Sequence, residues 1–343
     1  MNGYIQNKNN INNEDKKNEI LIENMVEKSS LNFNSEVTTL IQLNNKKDIA
    51  VCFSNGYLGI FDLKTLEKKM TINPTKRTIL DIINLNDNIV CISCWDRIIR
   101  VIQFYNNNTD CKIIQEIEGH KDYINCLKKS IFYKDQTTFF SSSNDGRILL
   151  WKFDNKRKLI NLYGKINLYE VENLKENSQL VIEGIEESIK FEKLICGISN
   201  LKSIYFCDLT DLSKIEKINV SVNRCIRALK LIKNDVLIVA GNQEINLVNV
   251  KNKNILYAIR FDKICEFNCI FQRRNGNILI TEFGEISKIR EFQLDERTLS
   301  LNLISTRVKD FQKYVTTITE SVDGDIIFGG YDCKIKILKS KNA

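Results

Sequence analysis

One short pattern returns seven times along this chain of 343 residues, and its return limits the fold more than any single motif does. Each copy is an alternating apolar run, a polar turn and a second alternating run. Ser54-Asn55-Gly56 precedes residues 57–62, Trp95-Asp96-Arg97 precedes 98–102, and Asn144-Asp145-Gly146 precedes 147–151. Further on, Asn200 precedes 204–208, Asn242 precedes 245–249, Phe283-Gly284-Glu285 precedes 286–292, and Tyr331-Asp332 precedes 334–338. With Asn55, Asp96, Asp145, Asn200, Asn242, Gly284 and Asp332 as markers, the intervals are 41, 49, 55, 42, 42 and 48 residues. Alternation between polar turns predicts strands, and a fixed period predicts units that bury their faces on one another. The length alone allows two domains, but the repeat predicts one array with a shared core.

A second signal runs through the same segments. Apolar residues stand three apart in what would be each unit's innermost strand: Val37 and Leu40, Ile79 and Ile82, Ile124 and Leu127, Ile182 and Ile185, Ile226 and Leu229, Phe267 and Ile270, Val315 and Ile318. Both signals give seven units.

The third copy is the fullest. Gly119-His120, Ser141, Asp145 and Trp151 together resemble the signature of WD-repeat β-propellers. The resemblance implies an all-β fold, a seven-bladed WD-repeat β-propeller over residues 19–343, with 1–18 a disordered polar tail. Because the chain ends just after the third strand of its last copy, the last blade is expected to be closed by an N-terminal strand, which removes an open edge. Ile20-Leu21-Ile22 running toward Met25-Val26, or Leu31-Asn32-Phe33, would supply it. The longest interval contains residues 163–177, read as an extended loop. Where the family places Trp, this chain has Phe61, Ile102, Trp151, Val248 and Leu338. Cys207-Asp208 fits that slot only with a turn one residue longer, and Phe292 is displaced by two.

The resemblance also implies a buried chain of hydrogen bonds, from the Trp151 indole to Ser141, then His120, then Asp145. Ser, His and Asp could form a hydrolytic triad, but no G-x-S-x-G elbow is present, and the structural tetrad accounts for the spacing. The other copies lack the His, so their closure is expected to rest on apolar packing. No P-loop, G-x-G-x-x-G or H-E-x-x-H occurs, and the single His is taken up by the tetrad; no enzyme activity and no cofactor are expected. Cys91 and Cys94 form a C-x-x-C inside one strand, where a spacing of three sends them to opposite faces, so no metal site is expected. Cys265 and Cys269 share a strand face at best, with no further ligand to complete a tetrahedron. Arg273-Arg274 occupies a polar turn, out of place for a phosphoinositide motif. Lys152, Lys156, Arg157 and Lys158 form the densest basic cluster, read as a solvated loop face without the aromatic interleaving that stacks bases.

Composition narrows the remaining choices. No apolar run approaches the roughly 18 to 20 residues of a membrane span, residues 1–17 are polar and Asn-rich, and Gly3 is one position late for myristoylation. Eleven cysteines without a secretory signal read as reduced thiols packed as small hydrophobes. The formal charge of +7 is spread over alternating lysines and acids, so neither nucleic acid nor membrane is favoured. The expected location is cytoplasmic and/or nuclear, neither secreted nor transmembrane.

In G-protein β subunits and related propellers, two positions per blade open onto the narrower face. Carried onto this chain, the first set is Ser54, Trp95, Asn144, Ser199, Gly241, Phe283 and Tyr331; the second is Glu36, Thr78, Tyr123, Val181, Cys225, Glu266 and Tyr314. Trp95, Tyr123, Phe283, Tyr314 and Tyr331 are large aromatics that the fold does not require there, and such rings are enriched at binding hot spots. With Asn144, Glu36 and Glu266 they make the expected partner-binding face, the two acids favouring a Lys- or Arg-bearing ligand. The function that follows is a non-catalytic scaffold or adaptor for proteins or peptides in a multiprotein complex. Two alternatives are a subunit of a nuclear or ribonucleoprotein complex touching nucleic acid through basic loops, and a substrate-recruiting subunit of a ubiquitin ligase. For the latter, Phe61-Asp62-Leu63-Lys64 has Lys where the W-D-x-R signature has Arg.

Overall fold

The computed structural model describes residues 21–134, 137–154, 156–174, 180–285, 287–308 and 313–340. The expected tail, 1–18, lies outside them. The described chain is nearly all antiparallel strand, and the recurring segments fold as four-stranded meanders. The first segment is typical: Val37–Gln42, Asp48–Phe53, Leu58–Asp62 and Lys68–Ile72 pair in sequence order. In the third, Ile124–Lys129, Thr138–Ser143, Arg147–Asp154 and Leu159–Asn167 do the same. The fifth and sixth segments are joined into one eight-stranded sheet by a pairing of Asn242 with Glu266.

The three-residue spacing of the inner strands has a geometric cause. In every inner strand the pairing slips just after the first apolar residue, for instance between Val37 and Thr39, Ile79 and Asp81, and Ile124 and Cys126. The same slip occurs at Ile182/Gly184, Ile226/Ala228, Phe267/Cys269 and Val315/Thr317. A bulge adds one residue, so positions three apart face the same side instead of opposite sides. A second slip, in the outer strand, lies opposite Phe61, Ile102, Trp151, Val248 and Phe292. Pairing aligns Phe292 with Ile278 as it aligns Trp151 with Phe139, so the two-residue displacement is absorbed by the turn. Cys207 likewise faces Leu194, but its outer strand runs without a slip.

Apolar clusters lie between successive segments. Ile89, Cys91 and Val101 pack on Phe139, Leu149 and Trp151, and Phe140 and Leu150 pack on Ile185 and Tyr205. A further cluster joins the first segment to the seventh through Val37, Leu40, Phe53, Ile327 and Ile335. Each fully buried Ile, Leu or Phe contributes on the order of 1.5–3 kcal/mol, so most of the stability lies between sheets.

In the seventh segment, Val315–Glu320, Ile326–Gly330 and Lys334–Ser340 are joined by Met25–Asn32, antiparallel to the last of them, with Val26 opposite Lys339 and Asn32 opposite Lys334. The added strand thus includes Met25-Val26 and Leu31-Asn32. Ile22 does not extend it: it sits in a 3-10 turn, Ile22–Asn24, fully buried, its N–H donating to Glu291 Oε2 at 2.6 Å. The loop expected over 163–177 is also corrected. Residues 163–167 complete the outer strand Leu159–Asn167, and Leu168–Glu172 forms a short helix whose Leu168 and Tyr169 are buried; 175–177 lie outside the described residues. Local alternation was weak there because the bulge beside Trp151 breaks it.

Candidate functional site

The tetrad is assembled as the motif implies. Trp151 Nε1 donates to Ser141 Oγ at 2.8 Å, Ser141 Oγ lies 2.7 Å from His120 Nε2, and His120 Nδ1 lies 3.0 Å from Asp145 Oδ2. Because the serine oxygen accepts from the indole, its proton points to the imidazole, and the other ring nitrogen donates to the carboxylate. Burial pushes the Asp145 carboxyl up, but the hydrogen bond from His120 and the N–H groups of Lys121 and Arg147 hold it below the usual range. Ser141 is fully buried, so a substrate has no access to the hydroxyl. A chain satisfied in this way avoids about 1–3 kcal/mol for each polar group that burial would leave unpaired.

The expectation that the other segments close by apolar packing alone is overturned. In the second, other polar groups occupy the comparable place, and in the first and sixth, buried polar clusters lie elsewhere in the sheet. In the second, Asp96 accepts from Thr75 Oγ1 at 2.7 Å and from Arg100 at 2.7 Å, and Arg100 Nε reaches Glu116 at 2.8 Å. In the first, buried Asp48 meets Lys69 at 2.7 Å and Asn108 at 2.8 Å. In the sixth, fully buried Glu291 accepts from Arg273 at 2.6 Å and Asn277 at 3.0 Å. The signal was present in the sequence as acids and bases spaced across neighbouring strands, but pairing register is needed to read it.

Arg273 is therefore an internal ion-pair partner, and Arg274 donates to the carbonyl of Val322 at 2.8 Å; both are engaged within the protein. Cys91 and Cys94 do face opposite clusters, and burial pushes the Cys94 thiol up to about 12. Cys265 precedes the strand Glu266–Gln272 that contains Cys269, so the two are not on one strand. All eleven cysteines are free, and among the described residues no group of three or more His, Cys, Asp or Glu is placed to hold a metal. No helix among them is long and apolar enough to cross a membrane.

The two sets of face positions come together at one end of the sheets. The N–H of Ser54 donates to the carbonyl of Glu36, Trp95 to Thr78, Asn144 to Tyr123, Ser199 to Val181 and Tyr331 to Tyr314, all at 2.9–3.1 Å. Phe283 pairs with Glu266. The fifth segment contributes little, since a Cβ on Gly241 would lie 2.2 Å from the Cys225 carbonyl oxygen.

Two aromatic platforms result. Trp95 and Tyr123 stack with centroids 5.2 Å apart, and both remain exposed, by 45% and 40%. Phe283 stacks on Tyr314 at 3.8 Å, and Tyr314 meets exposed Tyr331 edge-on at 5.8 Å. Beside the second platform is a cavity of about 600 Å³ lined by Lys263, Ile264, Glu266, Phe283, Glu285 and Tyr314. Asn144 accepts from Asn125 Nδ2 at 2.6 Å, which fixes its amide. Glu266 is held by Tyr314 Oη at 2.8 Å, Asn242 Nδ2 at 2.9 Å and Arg227 at 3.6 Å. Burial, then the hydrogen bond to Glu266, pushes the Tyr314 hydroxyl up to about 12. The contacts of Arg227 and Asn242 with Glu266 were missed from sequence because both residues come from the preceding segment. Glu36 makes no ion pair with a described residue, and its charge raises the Tyr331 hydroxyl after burial has done so.

Comparison with known families gives one match. The model of the WD domain, G-beta repeat, fits residues 111–152. The match begins in the outer strand of the second sheet, Asp110–Ile117, and ends in the third strand of the third, Arg147–Asp154, so it contains the whole tetrad. No curated protein matches the chain.

Proposed function

We propose that this chain, a member of the WD-repeat family, is a non-catalytic scaffold or adaptor that holds proteins or peptides on the face carrying Trp95 and Tyr331. WD repeats generally mediate contacts between proteins. In this reading residues 19–343 form a seven-bladed propeller, its last blade completed by Met25–Asn32, and 1–18 are a tail.

The observation that carries the proposal is the exposure of the stacked rings. A ring that merely sealed the end of a sheet would be covered, whereas Trp95, Tyr123 and Tyr331 keep 38–45% of their surface in water. Large, stiff rings fixed before binding lose little side-chain entropy on contact, which is why such residues dominate hot spots. Because Glu266 is already neutralised by Arg227, any preference for a Lys- or Arg-bearing ligand falls to Glu36.

Replacing both Trp95 and Tyr331 by Ala tests the assignment. Affinity purification from the native source is expected to lose its co-purifying proteins, while stability in urea changes by less than about 0.5 kcal/mol. An unchanged set of partners would remove this face from consideration.

A further inference from the structure

A second surface, away from the aromatic platforms, stands out on the outer strand of the third segment. Leu159, Leu162 and Tyr163 on that strand are 43%, 56% and 61% exposed, and Ile131 in a nearby turn is 66% exposed. Other outer strands expose such residues once or twice, as with Ile113 in the second segment and Leu303 in the sixth. At the slip opposite Trp151, Tyr163 falls between the paired residues Leu162 and Gly164 and has no partner in the ladder.

Tyr163 is nonetheless fixed in place. Its ring meets Tyr133 edge-on at 6.3 Å, and Lys152 Nζ lies 5.5 Å from its centroid. Tyr133 is itself anchored through its hydroxyl to the carbonyl of Leu209 at 2.8 Å. A concavity of about 410 Å³ opens beside these rings, lined by Thr137, Lys152, Phe153, Asn161, Leu162 and Tyr163. That volume suits one large apolar side chain of a partner. The strand is the last in its sheet, with no further strand paired to its outer edge among the described residues.

The rim is cationic. Lys152 lines the concavity, and Lys156, Arg157 and Lys158, in the turn that follows Asp154, and Lys134, next to Tyr133 in the chain, are all exposed. Asp154, the acid lining it, accepts the N–H groups of Lys156 at 2.8 Å and Arg157 at 3.1 Å and lies 3.9 Å from Arg157 Nε, so its charge is met within its own turn. An apolar hollow with a positive rim is complementary to an apolar anchor flanked by negative charge.

We infer that this strand and its lysine rim dock an acidic, extended segment of a partner protein, with one large apolar residue of that segment entering the hollow beside Tyr163. A single-stranded nucleic acid is the less suitable occupant. Stacking of successive bases needs open ring faces in series, and here Tyr163 has Lys152 over its ring and Tyr133 against it, while Leu159 and Leu162 offer no π-face.

The probe is a short fluorescein-labelled peptide in which Glu alternates with Leu and Phe, titrated with the full chain and followed by anisotropy. Binding is expected to weaken about tenfold or more in the Leu162→Ala/Tyr163→Ala double variant. In the Lys152→Glu/Lys156→Glu variant it should weaken and lose most of its salt dependence. The Trp95→Ala/Tyr331→Ala protein should bind the peptide unchanged, which separates this surface from the aromatic face. The inference is overturned if the parent peptide does not bind, if a peptide with Ser in place of Leu and Phe binds equally well, if either surface variant is without effect, or if an oligothymidylate binds more tightly than the peptide.

Discussion

The third segment draws all four of its strands from residues 124–167, whereas the seventh takes its outer strand from the other end of the chain. Their fastenings differ accordingly. The third is held by a local chain of side-chain hydrogen bonds, Trp151 to Ser141 to His120 to Asp145. Among its described residues the seventh has no such tetrad. Its added strand is fixed by pairing along Lys334–Ser340 and by Ile22, whose N–H is taken by Glu291 and whose carbonyl is taken by Arg307 at 3.2 Å. The joints to neighbouring sheets follow the same division. At the equivalent position after the inner-strand bulge, Asp81 accepts the N–H of Leu127 at 2.8 Å, while Thr317 accepts that of Leu40 at 3.3 Å. One position in the repeat is thus filled by an ionisable acceptor at one joint and a neutral one at the other.

The sharpest way to break this comparison is to remove the distant strand. Deleting residues 1–34 takes away Met25–Asn32 and bares the edge of Lys334–Ser340, so the protein is expected to aggregate, as seen by light scattering. Deleting 1–18 should leave a soluble protein with an unchanged melting curve. If both truncations fold equally well, strand addition is not what completes the seventh segment.

A smaller effect is expected in the local fastening. Trp151→Ala removes a buried ring and leaves Ser141 and His120 with a broken chain; a loss of about 3–5 kcal/mol in urea unfolding is expected. A loss below about 1 kcal/mol would mean that the tetrad follows the fold without supporting it. On the other side of the comparison, Glu291→Gln weakens the hold on Ile22 and strips the nearest counter-charge from Arg273, which keeps Glu320 at 3.8 Å. About 2–3 kcal/mol should be lost, less than for a buried pair with no second acid, and exchange of the Ile22 amide should speed up.

The smallest effect separates the two joints by pH. Burial pushes the Asp81 carboxyl up to about 6, only partly opposed by the N–H groups of Leu127 and Ile82. Its folded-state value lies above that of the unfolded chain, so its contribution to stability is complete at low pH and is lost as pH rises through about 6. Relative to Asp81→Asn, the native protein should gain about 1 kcal/mol on going from pH 7 to pH 5. Thr317→Val, at the other joint, should shift stability by the same amount at both pH values. Parallel pH profiles for native and Asp81→Asn proteins would show that the carboxyl titrates normally.

Much of this molecule was legible in advance. The turn markers located the sheets, and the residues three apart located each innermost strand, while the bulge behind that spacing is visible only in the pairing. The aromatic positions Trp95, Tyr123, Tyr314 and Tyr331 followed from the register of the third copy. What escaped were features set by neighbours that are distant in sequence. Residues 163–167 were read as loop because a bulge disrupts alternation locally, although pairing with Arg147–Asp154 holds them extended. Glu266 was read as an open charge because Arg227 and Asn242 come from a different segment.

By itself, then, the sequence determined the all-β repeat, its period, the tetrad residues and the places where exposed rings would stand, because these depend on spacing within a strand and its turn. Only the tertiary structure decided which acids meet which bases, that Ile22 plugs into Glu291 while Met25–Asn32 forms the strand, and that Tyr163 is turned outward beside Lys152. The physical reason is common to all three. A buried charge, a chain end and an exposed ring each take their energy from contacts made across sheets, and periodicity along one strand carries no record of those contacts.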